Sequence, residues 1–373
     1  MRIIFTGGGS GGHIFPIIAI VRELKKIRPD FSFYFVGPKD ESGAFMLSRE
    51  GIKVKSILAG KIRRYWSFKA FFQNIFDVFK MIIGFIQSFF YLFFLFPDLI
   101  FSKGGYGAFP VSLLGYIFFT PVMLHESDIT PGLSNKIISK IALEIFVSFP
   151  VKEVIFFSPK KIISVGNPVR KEIKNGSKEE AENIFNLKKG KPILLVFGGS
   201  QGSQRINNLI LNILPQLLDD FQVIHQVGPK NLKEVNAEAK VMVSSPLDKY
   251  YHTYPFLDEK KLKHALSACD IVLARAGSGA IFEIALCGKP SILVPLPGSA
   301  QNHQVNNAYS YQNKGACLVI EEKNLTSHFF LERLKYMMSD PERLERMSIF
   351  AENFSRPRAA EIIAKYIVEY LIY

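Results

Sequence analysis

Close to the start of the chain, Gly7, Gly8, Gly9, Gly11 and Gly12 surround Ser10, and His13 follows directly. So much bare backbone brings N–H groups up to an anionic or polar group at a helix N-terminus, where orphan donors and the helix dipole favour negative charge. The competing reading is a plain tight turn, since a glycine pattern alone is weak evidence. The stretch lacks the dinucleotide context: Gly37, Pro38 and Lys39 stand where a nicotinamide-binding unit would carry an acidic residue for the ribose. Further on, "HESDITPGLSN" gathers His125, Glu126, Asp128 and Asn135. Such a cluster at a strand end lines a cleft, or else Asp128 and Thr130 cap the next helix and the backbone satisfies His125. In "RAGSGAIFE", Glu283 follows Gly277 by six residues. A carboxylate there complements the helix dipole, or accepts two adjacent sugar hydroxyls at the sheet edge. An Asp-x-Asp element in an apolar context, which a metal-dependent transferase would use, is missing from the sequence. Cys269, Cys287 and Cys317 lack metal-ligand spacing and are odd in number, which fits reduced thiols and no disulfide framework.

The elements that must hold these residues repeat. Arg2 to Thr6 reads as a short buried strand, then come the glycine turn, "FPIIAIVRELKKI" with helical spacing, and the strand "FSFYFVG". Much later "KPILLVFGGSQGSQRINNLILNILPQLL" runs strand, glycine turn and helix again, and "QVIHQVG" supplies the next strand. Two such units about half a chain apart predict two doubly wound α/β domains with parallel sheets and ligands at the C-terminal strand edges. Length agrees, because 373 residues exceed what one core serves. Gly, Asn and Pro in "ISVGNPVRKEIKNG" mark the boundary, giving a first domain over 1–165, a second over 166–350, and a terminal helix over 351–373. With 48% hydrophobic and 21% charged residues the chain is folded rather than disordered. The apolar stretch after Met1 is too short for a secretory signal, so the protein is expected to stay where it is made.

The net charge of +13 is uneven: 20 Lys and Arg stand against 11 Asp and Glu up to Ser164, and 26 against 22 beyond it. A cationic first half suits phosphorylated substrates or anionic lipid. Without an RNP-like signature or a helix-turn-helix pattern, nucleic acid is the weaker choice. Phe68 to Ile100 is rich in aromatics, yet its continuous apolar run, Met81 to Phe96, is sixteen residues and contains Gln87. A spanning helix needs about 20. Lys55, Lys61, Arg63, Arg64 and Lys69 precede it, so the expectation is an amphipathic helix lying on an anionic leaflet.

Taken together, "GGGSGGHIFP", "HESDITPGLSNK", "GNPVR", "GGSQGS" and "RAGSGAIFE" followed by "HQVNNA" occur in an order and spacing that resemble the MurG family, the membrane-associated N-acetylglucosaminyltransferases of peptidoglycan synthesis. The resemblance covers roughly residues 1 to 310. It implies the glycosyltransferase-B fold, two Rossmann-like domains facing an interdomain cleft, with UDP-N-acetylglucosamine (UDP-GlcNAc) as donor, undecaprenyl-pyrophosphoryl-MurNAc-pentapeptide (lipid I) as acceptor and lipid II as product. No cofactor is implied, and the location implied is peripheral, on the cytoplasmic face of the cell membrane. The family pattern assigns donor contacts to Ser10, Gly11, Gly12, Arg170, Ser200, Leu257, the turn Gly277, Ser278, Gly279 and Ala280, Glu283 and Gln304. Gly104, Gly105 and Tyr106 in "FSKGGYGAFP" read as another loop, at the acceptor pyrophosphate, with a plain turn as the competing reading, and Asn135 matches the family's second asparagine and is taken as an acceptor contact. Asp128 stands where many members have Asn, and an ionised carboxylate accepts but does not donate a hydrogen bond. The terminal helix returns to the first domain in that family.

An inverting transfer needs a base on the acceptor hydroxyl, an in-line approach to the anomeric carbon and stabilisation of the departing diphosphate. Glycine-loop amides and helix N-termini supply the last. His13, with an unperturbed pKa near neutrality, is the expected base, and Glu126 is held in reserve. The other role open to His13 is to bind a phosphate or pack the turn. Alternatives for the whole chain are a diacylglycerol glycosyltransferase, a UDP-sugar 2-epimerase of similar architecture, or a non-catalytic nucleotide-sugar or membrane-binding protein. The "HESD" and "GNPVR" loops argue against the first two, and intact His13, Arg170 and Glu283 against the last.

Overall fold

A computed structural model describes residues 1–9, 11–60, 67–243 and 245–372, without the side chains of 69 and 70. In chain order the elements are β1 (Arg2–Thr6), α1 (Gly11–Ile27), β2 (Ser32–Pro38), α2 (Glu41–Arg49), β3 (Lys53–Ile57), α3 (Phe68–Leu95), β4 (Leu99–Ser102), α4 (Ala108–Ile117), β5 (Val122–Glu126), α5 (Leu133–Ile141), β6 (Glu144–Val147) and β7 (Ile162–Ser164). There follow α6 (Lys178–Phe185), β8 (Ile193–Phe197), α7 (Gln204–Asn212), α8 (Leu214–Asp220), β9 (Gln222–Gln226), α9 (Leu232–Met242), β10 (Tyr251–Tyr254), α10 (Glu259–Ala268), β11 (Ile271–Ala274), α11 (Ser278–Leu286), β12 (Ser291–Leu293), α12 (His303–Gln312), β13 (Cys317–Val319), α13 (Ser327–Met338), α14 (Pro341–Phe354) and α15 (Ala359–Ile372).

Two compact units result. The first joins Met1–Arg170 to Pro357–Tyr373, and the second is Lys171–Arg356. The first division thus falls at Arg170 rather than at Val165. The amides of Val165 and Gly166 both donate to Val147 O, at 3.1 and 3.2 Å, which ties the segment after β7 to the first sheet. Residues 351–354 belong to α14, and the buried Ala351 keeps them with the second unit.

Both sheets are wholly parallel, with orders β3-β2-β1-β4-β5-β6-β7 and β10-β9-β8-β11-β12-β13. Their strands are near-continuous apolar runs because helices cover both faces: Ile3, Ile4 and Phe5 in one, Leu194, Leu195 and Val196 in the other, are fully buried. The strand order reverses between β1 and β4 and again between β8 and β11. At such a switch point the connections leave in opposite directions and open a crevice beyond the strand C-termini. All of the glycine-rich turns singled out in the sequence follow one of these four strands.

Helix α15 completes the first unit by laying Ala360, Ile363, Ala364 and Ile367, all fully buried, onto the core around α1. Its Tyr366 hydroxyl donates to Glu144 at 2.8 Å. Helix α3 is longer than the sixteen-residue run suggested. It extends over 28 residues, and Phe71–Leu95 is long and apolar enough to cross a membrane by length and composition. Asp77, Lys80 and Gln87 lie within it without ending it, because a helix tolerates polar side chains wherever they find a partner. Its buried positions, Asp77, Gly84, Ser88 and Leu92, form one narrow stripe. Along that stripe Gln87 accepts the Leu58 amide at 2.7 Å, and any Cβ at Gly84 would overlap the Leu58 carbonyl. At the far end Arg2 donates to Leu95 O at 2.7 Å. Of the basic residues before α3, Lys55 is exposed on β3; Lys61, Arg63 and Arg64 lie outside the described residues, as does the side chain of Lys69.

Candidate active site

In the first unit, the turn after β1 runs straight into α1, so that Gly11 and Gly12 are already helical and His13 stands on the first turn rather than at the close of a loop. Pro16, inside the helix, lacks the N–H that would bond to the Gly12 carbonyl, which leaves that turn's backbone polar. His13 lies on Gly8: a Cβ there would come within 3.0 Å of its Cε1. The turn after β4 faces the same ring. Gly104 and Gly105 take φ of +78° and +84°, a left-handed pair that only glycine adopts without strain. A Cβ on Gly105 would meet Gly8 N at 3.1 Å and His13 Nε2 at 3.3 Å, and one on Gly104 would overlap the Asn135 amide. Two glycine turns are therefore in backbone contact across the switch point, with Tyr106 partly exposed beside them.

Below them is a polar network that motif reading missed. Lys103, only 2% exposed, directs its ammonium at His125 Nδ1 (2.5 Å) and donates to Ser127 Oγ (2.7 Å). His125 is fully buried and meets Gly166 O through Nε2 at 3.1 Å, while Ser127 Oγ donates to Asn167 Oδ1 at 3.3 Å. The backbone thus satisfies His125, but only on one side. The capping alternative fails, because α5 is capped by Gly132 with no side-chain hydrogen bond. Glu126, also buried, accepts Asp128 N at 2.9 Å and Asn135 Nδ2 at 2.6 Å, which fixes the whole "HESD" turn. Burial, then the neighbouring Asp128 charge, pushes the Glu126 carboxyl up to about 7. Burial and the Lys103 charge bring His13 down to about 4, and burial brings Lys103 down to about 7. Arg170 of "GNPVR" reaches this edge too, its guanidinium 3.9 Å from the Phe15 ring centre on α1. The structure therefore gathers Gly11, Gly12, His13, Gly104, Gly105, Tyr106, Glu126, Asp128, Asn135 and Arg170 on one edge of the first unit. Ser10 lies outside the described residues.

In the second unit, the turn after β8 carries Ser200 and ends at Ser203, which caps α7. Gln226, 5% exposed at the end of β9, ties this turn to the next: its Nε2 donates to Gly199 O and its Oε1 accepts Leu257 N, each at 2.8 Å. Leu257 is itself buried, so its backbone is what it can present. After β11, the buried Arg275 donates through Nε to Ser203 Oγ at 3.1 Å and pairs through Nη1 with Glu322 at 2.6 Å. It thereby couples both switch-point turns. Neither Gln226 nor Arg275 was picked out from the sequence, although Arg275 opens the quoted "RAGSGAIFE". Gly277 caps α11, and Gly277, Gly279, Ala280 and Glu283 are its partly exposed positions, while Ser278 is buried. Spacing of three and four residues puts Gly279, Ala280 and Glu283 on one face. Space opens where a Cβ would sit on Gly277 or Gly279. Gln304, on the first turn of α12, accepts Leu296 N at 3.0 Å through Oε1 and so braces the loop after β12. The two residues before α12, Gln301 and Asn302, hold φ of +57° and +53°, a strained conformation of the kind that clusters at ligand sites.

Residues 3–147 match the glycosyltransferase family 28 N-terminal domain, and residues 193–363 match the glycosyltransferase family 28 C-terminal domain. The chain belongs to glycosyltransferase family 28. A relative from Clostridium tetani, named UDP-N-acetylglucosamine–N-acetylmuramyl-(pentapeptide) pyrophosphoryl-undecaprenol N-acetylglucosamine transferase, is 35% identical over 345 residues, 92% of this chain and 91% of its own length. Among solved structures, Acinetobacter baumannii MurG superposes with a TM-score of 0.72 at 22% identity, covering 99% of both chains. A UDP-GlcNAc 2-epimerase from Neisseria meningitidis, solved with UDP-GlcNAc, superposes at 0.68 with 16% identity, covering 99% of this chain and 100% of its own. Both likenesses speak for the fold alone, which the two proteins share.

Proposed function

We propose that this family 28 chain is an inverting transferase that moves N-acetylglucosamine from UDP-GlcNAc to the MurNAc 4-hydroxyl of undecaprenyl-pyrophosphoryl-MurNAc-pentapeptide. The observation that carries this reading is the 35% identity, over nine-tenths of both chains, to a transferase bearing that name. The second unit is assigned the donor. Glu283 accepts two ribose hydroxyls, the Leu257 backbone meets the uracil, and the turns holding Ser200 and Gly277 to Ala280 take the diphosphate at the N-termini of α7 and α11. Gln304 contacts the sugar through the amide nitrogen that Leu296 leaves available. The first unit is assigned the acceptor, with Gly104, Gly105, Tyr106 and Asn135 around its pyrophosphate and MurNAc. Gly11, Gly12, Asp128 and Arg170 are assigned to the donor's diphosphate and sugar, and Ser10 joins them on the family pattern alone.

His13 takes the acceptor proton. It is half-buried on the first turn of α1, whereas both Glu126 oxygens are occupied and the residue is 3% exposed. A base must reach the proton it removes. With its pKa lowered to about 4, His13 is a free base at neutral pH. Arrival of the substrates' diphosphates raises its proton affinity at the moment it is needed. As the 4-hydroxyl oxygen attacks the anomeric carbon, its proton passes to His13, the bond to UDP breaks, and backbone amides receive the departing charge.

The exposed aromatic face of α3 is assigned to an anionic leaflet, on which the helix lies. Its two ends continue into β3 and β4 of one sheet, and its inner stripe is docked. The test is UDP release from UDP-GlcNAc with and without a lipid I analogue. Acceptor-dependent release together with a glycosylated lipid product is expected. Release without acceptor would point to hydrolysis or epimerase-like chemistry, and no release in either case to a binding protein.

A further inference from the structure

Of the groups that the family pattern does not mark, Lys103 is placed to matter most. A lysine 2% exposed at the end of β4 sits among four ionisable neighbours from three elements: His125 and Glu126 of β5, Asp128 of the following turn, and His13 of α1. Its ammonium donates to His125 and Ser127. These pass the connection to Gly166 and Asn167, whose segment continues to Arg170 over Phe15. Its own Cβ lies 3.4 Å from where a Cβ on Gly7 would be. Lys103 therefore ties the turn after β4 to the "GNPVR" segment through its ammonium and packs on the turn after β1 through its Cβ.

We propose that Lys103 is a positioning residue for the transfer, holding the Gly166–Arg170 segment and the α1 turn in register beside His13. The direction of the His13 shift agrees: after burial, Lys103 is the main cause lowering it, and Asp128 is the neighbour acting the other way. A lysine is suited to this because its compact ammonium can be desolvated and can donate in three directions. Donation into His125 Nδ1 leaves the Nε2 proton for Gly166 O, which fixes that ring's tautomer.

The inference rests on the transferase reading, and the experiment separates the two. Acceptor-dependent transfer is first established for the full chain; a wild type that makes no glycosylated lipid overturns the reading of function. With transfer in hand, Lys103→Met is expected to lower kcat by about tenfold or more with KM for UDP-GlcNAc changed less than about threefold. In enzyme carrying isotope-labelled histidines, with His13 assigned by His13→Asn, the same variant moves the His13 titration upward by at least about one pH unit, toward an unperturbed imidazole. Lys103→Arg, which keeps the charge, returns the His13 titration toward the wild-type value. A His13 titration unmoved in Lys103→Met overturns the proposal even if kcat falls, because loss of structure alone does not restore that charge relation. Should Lys103→Met fail to fold, Lys103→Gln is read in the same way: a His13 titration raised by at least about one pH unit supports the proposal, and an unmoved one overturns it.

Discussion

At the scale of single residues, two candidate bases stand a few positions apart in role but far apart in proton affinity. His13 is lowered to about 4, by burial first and by Lys103 second, whereas Glu126 is raised to about 7, by burial first and by Asp128 second. A base fails when it is protonated, so the pH profile distinguishes them. With His13 as base, kcat/KM measured from pH 8 down to pH 5 stays level on the acid side; with Glu126 as base it falls through pH 7. A profile that does not fall from pH 7 toward pH 5 is expected, together with a loss of about 10²–10⁴-fold in kcat for His13→Ala. Glu283 gives the complementary case on the donor side. Hydrogen bonds to a charged group are worth about 1.5–3 kcal/mol. Glu283→Gln should therefore raise KM for UDP-GlcNAc by roughly ten- to a hundredfold while kcat moves little, and an unchanged KM would remove Glu283 from the donor site. These residues were legible because glycine turns and carboxylates at turn-to-helix junctions have a local signature. Lys103, Gln226 and Arg275 have none. Each acts through partners distant in sequence, such as Gln226 with Gly199 and Leu257, and only the fold brings those together.

At the scale of elements, the period of the sequence was enough to find the strands and the two repeats, because parallel strands buried on both faces read as unbroken apolar runs. Helix α3 exceeded its expected length since its polar residues are absorbed locally: Asp77 pairs with Lys80 at 3.2 Å, and Gln87 with the backbone of Leu58. The docked stripe at Asp77, Gly84, Ser88 and Leu92 leaves Phe72, Phe76, Phe79, Ile83, Ile86, Phe90 and Phe94 along the opposite side, where all are exposed. Each such ring removed from water contributes roughly 1.5–3 kcal/mol, so a few outweigh the cost of bringing the helix to a bilayer. Phe76→Asp with Phe90→Asp is expected to abolish flotation with phosphatidylglycerol vesicles while leaving UDP-GlcNAc affinity unchanged. Vesicle binding that survived the double change would take α3 out of the membrane contact.

At the scale of the whole molecule, the proposed function seats the nucleoside on the second unit's sheet, and hydrogen exchange can read that proposal directly. The turns that would hold the donor, at 198–202, 257 and 275–280, are linked to one another by Gln226 and Arg275 rather than by chain continuity. A ligand seated on any one of them should therefore protect them all. UDP added alone fills the nucleoside and diphosphate positions without the sugar. It is expected to slow exchange in these three segments and at the start of α12, where Gln301 and Asn302 hold strained backbone. Exchange in β5 and the "HESD" turn of the first unit should be unaltered, because the Glu126 hydrogen bonds that order that turn are complete without nucleotide. Protection confined to the turn after β1 would place the nucleotide on the wrong sheet. Protection of only one second-unit turn would mean that the Gln226 and Arg275 braces do not transmit binding, and the donor site would then be smaller than the switch-point geometry requires.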